Sequence, residues 1–111
     1  MKDIQGIVDL SSAFYGSAVL FAAIDCGVFE KVERGELDVD ARGMRLLVDA
    51  CVALGLLEKR DGKYANTPAG KAALVPGGPA DLTRAIRYNR DVYPAWGRLA
   101  EFARTGRPVE R

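Results

Sequence analysis

The side chains that could carry chemistry are few in this chain, and their spacing says what they are not doing. None of the 111 residues is a histidine, so the commonest general base near neutral pH is missing. Cys26 and Cys51 stand alone in apolar surroundings, without a CxxC pair or a histidine to complete a metal set. No serine or cysteine has a partner that would activate it for nucleophilic attack. Both cysteines read as reduced core residues of a cytosolic protein. The only clustered glycines, Gly77 and Gly78, are bounded by Pro76 and Pro79 and follow no strand. A dinucleotide loop needs its glycines at a strand-to-helix turn, so this run reads as a connector. Recognition by apolar and aromatic surface remains as the expected activity.

The large aromatic residues early in the chain are Phe14, Tyr15 and Phe21, and each needs an element to hold it. Ile4, Ile7, Val8, Leu10, Phe14 and Phe21 recur at helical spacings, which predicts a helix over residues 4–24 with Asp3 as its N-cap and a bend at Gly16. From Ala13 to Ile24 this helix is apolar all round, so one supporting layer leaves part of it uncovered. Ser17, Ala18, Ala22 and Ala23 are small enough for another helix to approach closely, while Phe14, Tyr15 and Phe21 can anchor in a neighbour's pockets. A chain of this size has little left to surround a central helix. The first helix therefore reads as an intersubunit helix, and Phe21→Asp or Ala18→Trp as changes that dissociate a dimer.

Further along, a short Gly27-Val28-Phe29 segment leads into a charged link from Glu33 to Asp40. Met44, Leu47, Val48, Cys51 and Leu54 then predict a helix from about Ala41 to Leu54, N-capped by Asp40 and closed by Gly55. Asp61-Gly62 between Leu56–Arg60 and Lys63–Asn66 is a hairpin signal, because both turn positions need positive φ. Thr67-Pro68 starts a short helix through about Leu74. Beyond the Pro76–Pro79 break, Leu82, Ala85, Ile86 and Tyr93 line another helix, which Pro94 is expected to interrupt or kink. A last helix carrying Trp96, Leu99, Ala100, Phe102 and Ala103 is expected to end near Thr105-Gly106. The fold class is mainly α, with one β-hairpin wing.

With 49% hydrophobic and 28% charged residues, the composition fits one soluble domain rather than a disordered or membrane chain. The longest uncharged run, Leu10 to Ile24, falls short of the roughly 20 apolar residues a bilayer span needs. The N-terminus lacks the basic segment and cleavage site of a signal peptide. A cytoplasmic location without membrane contact is the expectation. Net charge is +1, yet Lys plus Arg against Asp plus Glu stands at 5 to 10 over residues 1–58 and 11 to 5 over residues 59–111, giving halves of −5 and +6. Such asymmetry suits a nucleic-acid surface on the basic half, or two halves that complement each other in a dimer.

Several strings, taken in order, resemble one family. They are Phe14-Tyr15-Gly16-Ser17-Ala18-Val19-Leu20-Phe21-Ala22-Ala23 with Gly27-Val28-Phe29; Arg45-Leu46-Leu47-Val48-Asp49-Ala50 with Ala53-Leu54-Gly55-Leu56-Leu57-Glu58; Tyr64-Ala65-Asn66-Thr67-Pro68; and Pro94-Ala95-Trp96-Gly97-Arg98-Leu99 with Arg104-Thr105-Gly106. Their order and spacing resemble the N-terminal domain of the small-molecule O-methyltransferases of plants and bacteria, over nearly the whole chain. The resemblance implies a winged-helix-like helical dimerisation domain over residues 1–105 and the start of a linker over 106–111. It implies a homodimer held by the first helix, with Ile7, Leu10, Phe14, Ser17, Ala18, Phe21 and Ala22 at the contact. It also implies an aromatic acceptor's pocket walled by Phe14, Tyr15, Tyr93 and Trp96. In the family, a following Rossmann-type domain holds S-adenosylmethionine and the catalytic base. The expectation is therefore no cofactor, metal or catalytic residue in this chain, which is not an enzyme by itself, and a catalytic domain that is separate or deleted. The end at Arg111 falls where the linker would begin.

Other readings compete. A winged-helix DNA-binding regulator would use Arg42 and Arg45 on the helix after the link, and Lys59, Arg60 and Lys63 in the wing, as phosphate contacts. Against it stand the acidic residues Glu36, Asp38, Asp40 and Asp49, the small net charge, and a link of only eight residues where the family has a further short helix. DNA is not the expected partner. Arg84, Arg87, Arg90 and Arg98 form either a basic stripe for an anionic partner or the solvated face of an amphipathic helix. A freestanding dimer that binds a small molecule is a third reading.

Overall fold

The computed structural model describes residues 3–109. Met1, Lys2, Glu110 and Arg111, which the domain and linker expectations include, lie outside the described residues. In chain order the elements are α1 (Ile4–Ser12), α2 (Phe14–Asp25), α3 (Val28–Glu33), α4 (Arg42–Ala53), β1 (Leu57–Arg60), β2 (Lys63–Asn66), α5 (Pro68–Leu74), α6 (Thr83–Trp96) and α7 (Leu99–Thr105). The fold is mainly α with a single two-stranded wing.

Asp3 caps α1 as expected, its carboxylate accepting from the Gly6 N–H at 2.8 Å. The single helix expected over residues 4–24 is instead two, and the break falls at Ala13. The hydroxyls of Ser11 and Ser12 donate to the Val8 carbonyl at 2.7 and 3.2 Å, while the Ala13 N–H reaches back only to Leu10, at 3.4 Å. Back-bonding of this kind competes with the helical ladder and bends it. Gly16, where the bend was expected, stays helical and lies beside Leu54, whose Cδ2 would sit 3.7 Å from an added Cβ.

The helix α4 begins at Arg42, behind Ala41, which offers no side-chain cap. Asp40 does not take that position because the link folds on itself. Its N–H donates to Asp38 at 2.9 Å, and the Arg45 guanidinium reaches back to the carbonyls of Val39 and Asp40 at 3.1 and 2.7 Å. At the other end Gly55, with φ 78°, closes a Schellman motif in which Gly55 N–H donates to Val52 and Leu56 N–H to Cys51. The wing pairs Leu57 with Asn66 through Arg60 with Lys63, and Asp61 and Gly62 take φ of 51° and 77°, the mirror-image turn that matches strand twist. The Asn66 amide then ties β2 to α3, donating to the Phe29 carbonyl and to Glu33, both at 3.0 Å. That bond holds the Glu33 carboxyl below its usual range, with Lys71 helping.

Thr67 accepts from the Gly70 N–H at 3.2 Å and Pro68 opens α5, so this start follows the expected cap. Gly70 is fixed by space, since a Cβ there would lie 2.5 Å from the Leu56 carbonyl oxygen. Gly70→Ala is expected to cost about 2–3 kcal/mol by overpacking, read as a lower urea midpoint at unchanged slope.

The core is built by α2, α3, α4, β1 and α5 around Ala23, Ile24, Val28, Phe29, Val48, Cys51, Leu57 and Leu74. Cys51 belongs to it, but Cys26 does not. Cys26 is the C-cap of α2 and is exposed, because the left-handed turn at Gly27, φ 66°, sends Val28 and Phe29 inward and leaves the cap residue outside. The helix α6 also departs from expectation. It runs through Pro94 to Trp96, and the break comes at Gly97-Arg98. Pro94 lies in the last turn, where it forfeits one ladder bond. Trp96 thus belongs to α6.

Asp81 sets the entry to α6. Its carboxylate accepts from the Thr83 hydroxyl at 2.6 Å, the Thr83 N–H at 2.8 Å and the Gly77 N–H at 2.9 Å. Led by the Thr83 hydroxyl, these bonds lower its pKa from 3.8 to about 2. A depressed folded value means that Asp81 stabilises the fold above its ordinary titration and that this contribution fades as pH falls from about 4 toward 2. Asp81→Asn is expected to lower the melting temperature modestly at pH 7 and to flatten the acid limb of a melting-temperature profile. Solvent screening keeps the size of the effect small.

Candidate dimer face and aromatic groove

The core occupies one side of the molecule, and the other side is apolar without being covered. Neither α1 nor α7 contains a buried residue. Ile7 and Leu10 are 63% and 58% exposed, Trp96 is 65% exposed, and Ile4, Val8, Phe14, Tyr15, Leu99 and Phe102 join them on the surface. The accessible surface of 7992 Å² exceeds the about 6,000 Å² of a compact folded chain of this mass. The radius of gyration, 16.4 Å, likewise exceeds the about 13 Å of a compact domain. The helices α1 and α7 contribute nothing to the buried core, whereas α6 reaches it through Thr83 and Ile86.

Of the residues predicted for a dimer contact, Ile7, Leu10, Phe14 and Ser17 are exposed and Ala18, Phe21 and Ala22 are half-buried. Phe21 already has an intramolecular partner in Tyr93, the two rings meeting edge to face with centroids 5.1 Å apart. Phe14, Ser17, Phe21, Asn89, Val92, Tyr93 and Trp96 line a groove of about 330 Å³ between α2 and α6. A second hollow of about 420 Å³ adjoins it over Phe14, Tyr93, Pro94, Trp96 and Gly97. Three of the four predicted pocket residues, Phe14, Tyr93 and Trp96, therefore converge. Tyr15 lies tilted against Phe14 with centroids 4.2 Å apart but does not line the groove or the hollow beside it. Asn89 and Val92, which supply half of the α6 wall, carried no signal in the sequence.

The groove lining is aromatic and aliphatic, with Ser17 and Asn89 as its polar side chains. Burial pushes the Cys51 thiol up to about 11, so no thiolate forms there near neutral pH. Gly77 and Gly78 join α5 to α6 with no strand before them, and a Cβ on Gly78 would strike the Ala72 carbonyl oxygen at 2.6 Å. Gly78 is thus fixed by local packing, and Gly77 by its left-handed backbone, φ 83°.

The helix α1 and the apolar α2 together, Ile4–Asp25, run for 22 residues, and their most apolar window has a mean hydropathy of 1.7 with 11% of it buried. By length and composition they are enough to cross a bilayer. The uncharged run alone is shorter; the added length comes from the segment before Leu10, which carries Asp9, and α1 and α2 are separated at Ala13.

The wing is less available to DNA than its charges suggest. Lys59 lies 3.9 Å from Asp49 and 5.1 Å from the Tyr64 ring centroid, Arg60 pairs with Glu58 at 2.9 Å, and Arg45 is engaged with the link. Along α6, Arg84 and Arg87 are exposed, whereas Arg90 grips Asp25 and Arg98, just after α6, grips Glu101, each at 2.9 Å.

A helical domain with a wing, a one-sided core and an uncovered apolar face is a pairing module. The chain belongs to the O-methyltransferase dimerisation domain family, whose model matches residues 8–76, and membership implies that two copies pair. Acetylserotonin O-methyltransferase of Mus musculus is 36% identical over 122 residues, covering 96% of this chain and 32% of the relative. The 3-hydroxy-5-methyl-1-naphthoate 3-O-methyltransferase of Streptomyces sahachiroi is also 36% identical, over 94% of this chain and 33% of its own length. The structure of human N-acetylserotonin methyltransferase in complex with SAM superposes with a TM-score of 0.76 at 32% identity, over 96% of this chain and 36% of that one. The chain thus spans about a third of the length of the curated relatives it matches.

Proposed function

We propose that this domain joins two copies through α1, α2, α6 and α7, and that its α2–α6 groove covers the aromatic acceptor of an S-adenosylmethionine-dependent O-methyltransferase. In this reading the cofactor and the catalytic base belong to a separate Rossmann-type domain, and the present residues carry out no chemistry by themselves. The observation that carries it is the uncovered apolar face. An excess of about 2,000 Å² over a compact monomer matches one side of a large obligate interface. The groove and its neighbour fall in the about 300–1,000 Å³ range of small-molecule sites, with aromatic walls and few polar groups. Two relatives take their names from acetylserotonin and a hydroxynaphthoate, which are aromatic compounds.

The deciding measurement is solution mass by light scattering at several concentrations, with and without a DNA fragment at low salt. A dimer that persists on dilution and ignores DNA is the expected result. A monomer, or a DNA complex that dissolves as salt is raised, overturns the reading.

A further inference from the structure

We infer that Asp25 and Arg90 form a latch that sets the opening of the aromatic groove, acting as a positioning pair for the ring held there; this rests on the groove reading above. Thr83 is buried and Ile86 packs against the core in the N-terminal part of α6, so its C-terminal half is placed by the contacts around Arg90 and Tyr93. Toward its C-terminal end Tyr93 touches Phe21. Near its middle Arg90 Nε donates to both Asp25 oxygens at 3.0 and 2.9 Å, and Nη2 reaches Oδ2 at 2.9 Å. Asp91 is a weaker competitor at 3.7 Å.

The geometry gives this pair a positional role. Asp25 is the last residue of α2, and Arg90 lies between Asn89 and Val92, which supply part of the groove wall. A guanidinium fork on a carboxylate fixes angle as well as distance, which a single ammonium does not. Any slide or roll of α6 about Arg90 moves Asn89, Val92, Tyr93 and Trp96 together against Phe14 and Phe21. The pair is nearly half exposed, so it adds little to global stability. Its effect is local, on where α6 sits.

The test uses the full chain and three variants, Asp25→Asn, Arg90→Lys and the swap Asp25→Arg with Arg90→Asp, at a concentration where all have the same solution mass. Hydrogen exchange by mass spectrometry reads α6 against α4, and calorimetric titration with 2-naphthol and phenol reads the groove. Both single variants are expected to speed exchange over residues 84–96 about two- to fivefold, leave α4 unchanged, and narrow the affinity ratio between the two-ring and one-ring probes. The swap is expected to restore both readouts. Unchanged α6 exchange, equal acceleration in α4, or a swap that restores nothing overturns the latch. A wild-type chain that binds neither probe refutes the groove reading, and the exchange data still judge the latch.

Discussion

Phe29→Ala is expected to lower the unfolding free energy by about 3–5 kcal/mol, the range for removing a buried aromatic side chain from a packed core. Phe29 is fully buried and sits on α3 where that short helix meets β2 and α5. Its carbonyl also takes the Asn66 amide, so a shift of the α3 backbone loosens the wing as well. Little else on this side can collapse into the void, because Val28, Val48, Cys51 and Leu57 are already fully buried. Urea unfolding at fixed protein concentration checks the value, since any coupled association adds a concentration-dependent term. Phe29→Leu keeps most of the volume and is expected to cost under about 1.5 kcal/mol. Equal losses for the two would mean that α3 does not depend on filling this site.

Phe29 stands in the part of the molecule that was readable from local signals. Asp61-Gly62, Thr67-Pro68 and Gly55 each demand a backbone conformation that few alternatives satisfy, and the wing, α5 and the end of α4 fall where they point. The departures occur where a side chain reaches beyond its own turn. Arg45 occupies the carbonyls of Val39 and Asp40, and the hydroxyls of Ser11 and Ser12 take the Val8 carbonyl. Spacing does not encode such choices of hydrogen-bond partner. Cys26 shows the same limit, because its apolar neighbours face the core while the turn at Gly27 faces it outward. Pro94 was overweighted, since a proline late in a helix forfeits less than one in its middle.

The groove was legible by residue type and not by membership. Phe14, Tyr93 and Trp96 announce themselves as large aromatics, and the tertiary fold brings them together. Asn89 and Val92 enter only because α6 lies along α2 in one rotational setting. Tyr15 drops out for the mirror reason, since one position along a helix turns a side chain by about 100°.

The change Ile7→Asp with Leu10→Asp is expected to convert the dimer to a monomer, raising its dissociation constant at least about a thousandfold. Both residues are more than half exposed in the single chain and lie three apart on one face of α1. A twofold interface repeats every lost contact, so four buried aliphatic side chains, each contributing about 1.5–3 kcal/mol, comfortably exceed the roughly 4 kcal/mol that this shift requires. The fold of each chain is expected to survive, because neither side chain touches the buried cluster. Phe21→Asp is the weaker experiment. It would also break the ring contact with Tyr93 and unseat α6, so loss of the dimer would have two explanations. Light scattering on the double variant separates them: a folded monomer places α1 in the interface, whereas a dimer that persists moves the contact onto α6 and α7, where Trp96, Leu99 and Phe102 form another uncovered apolar surface.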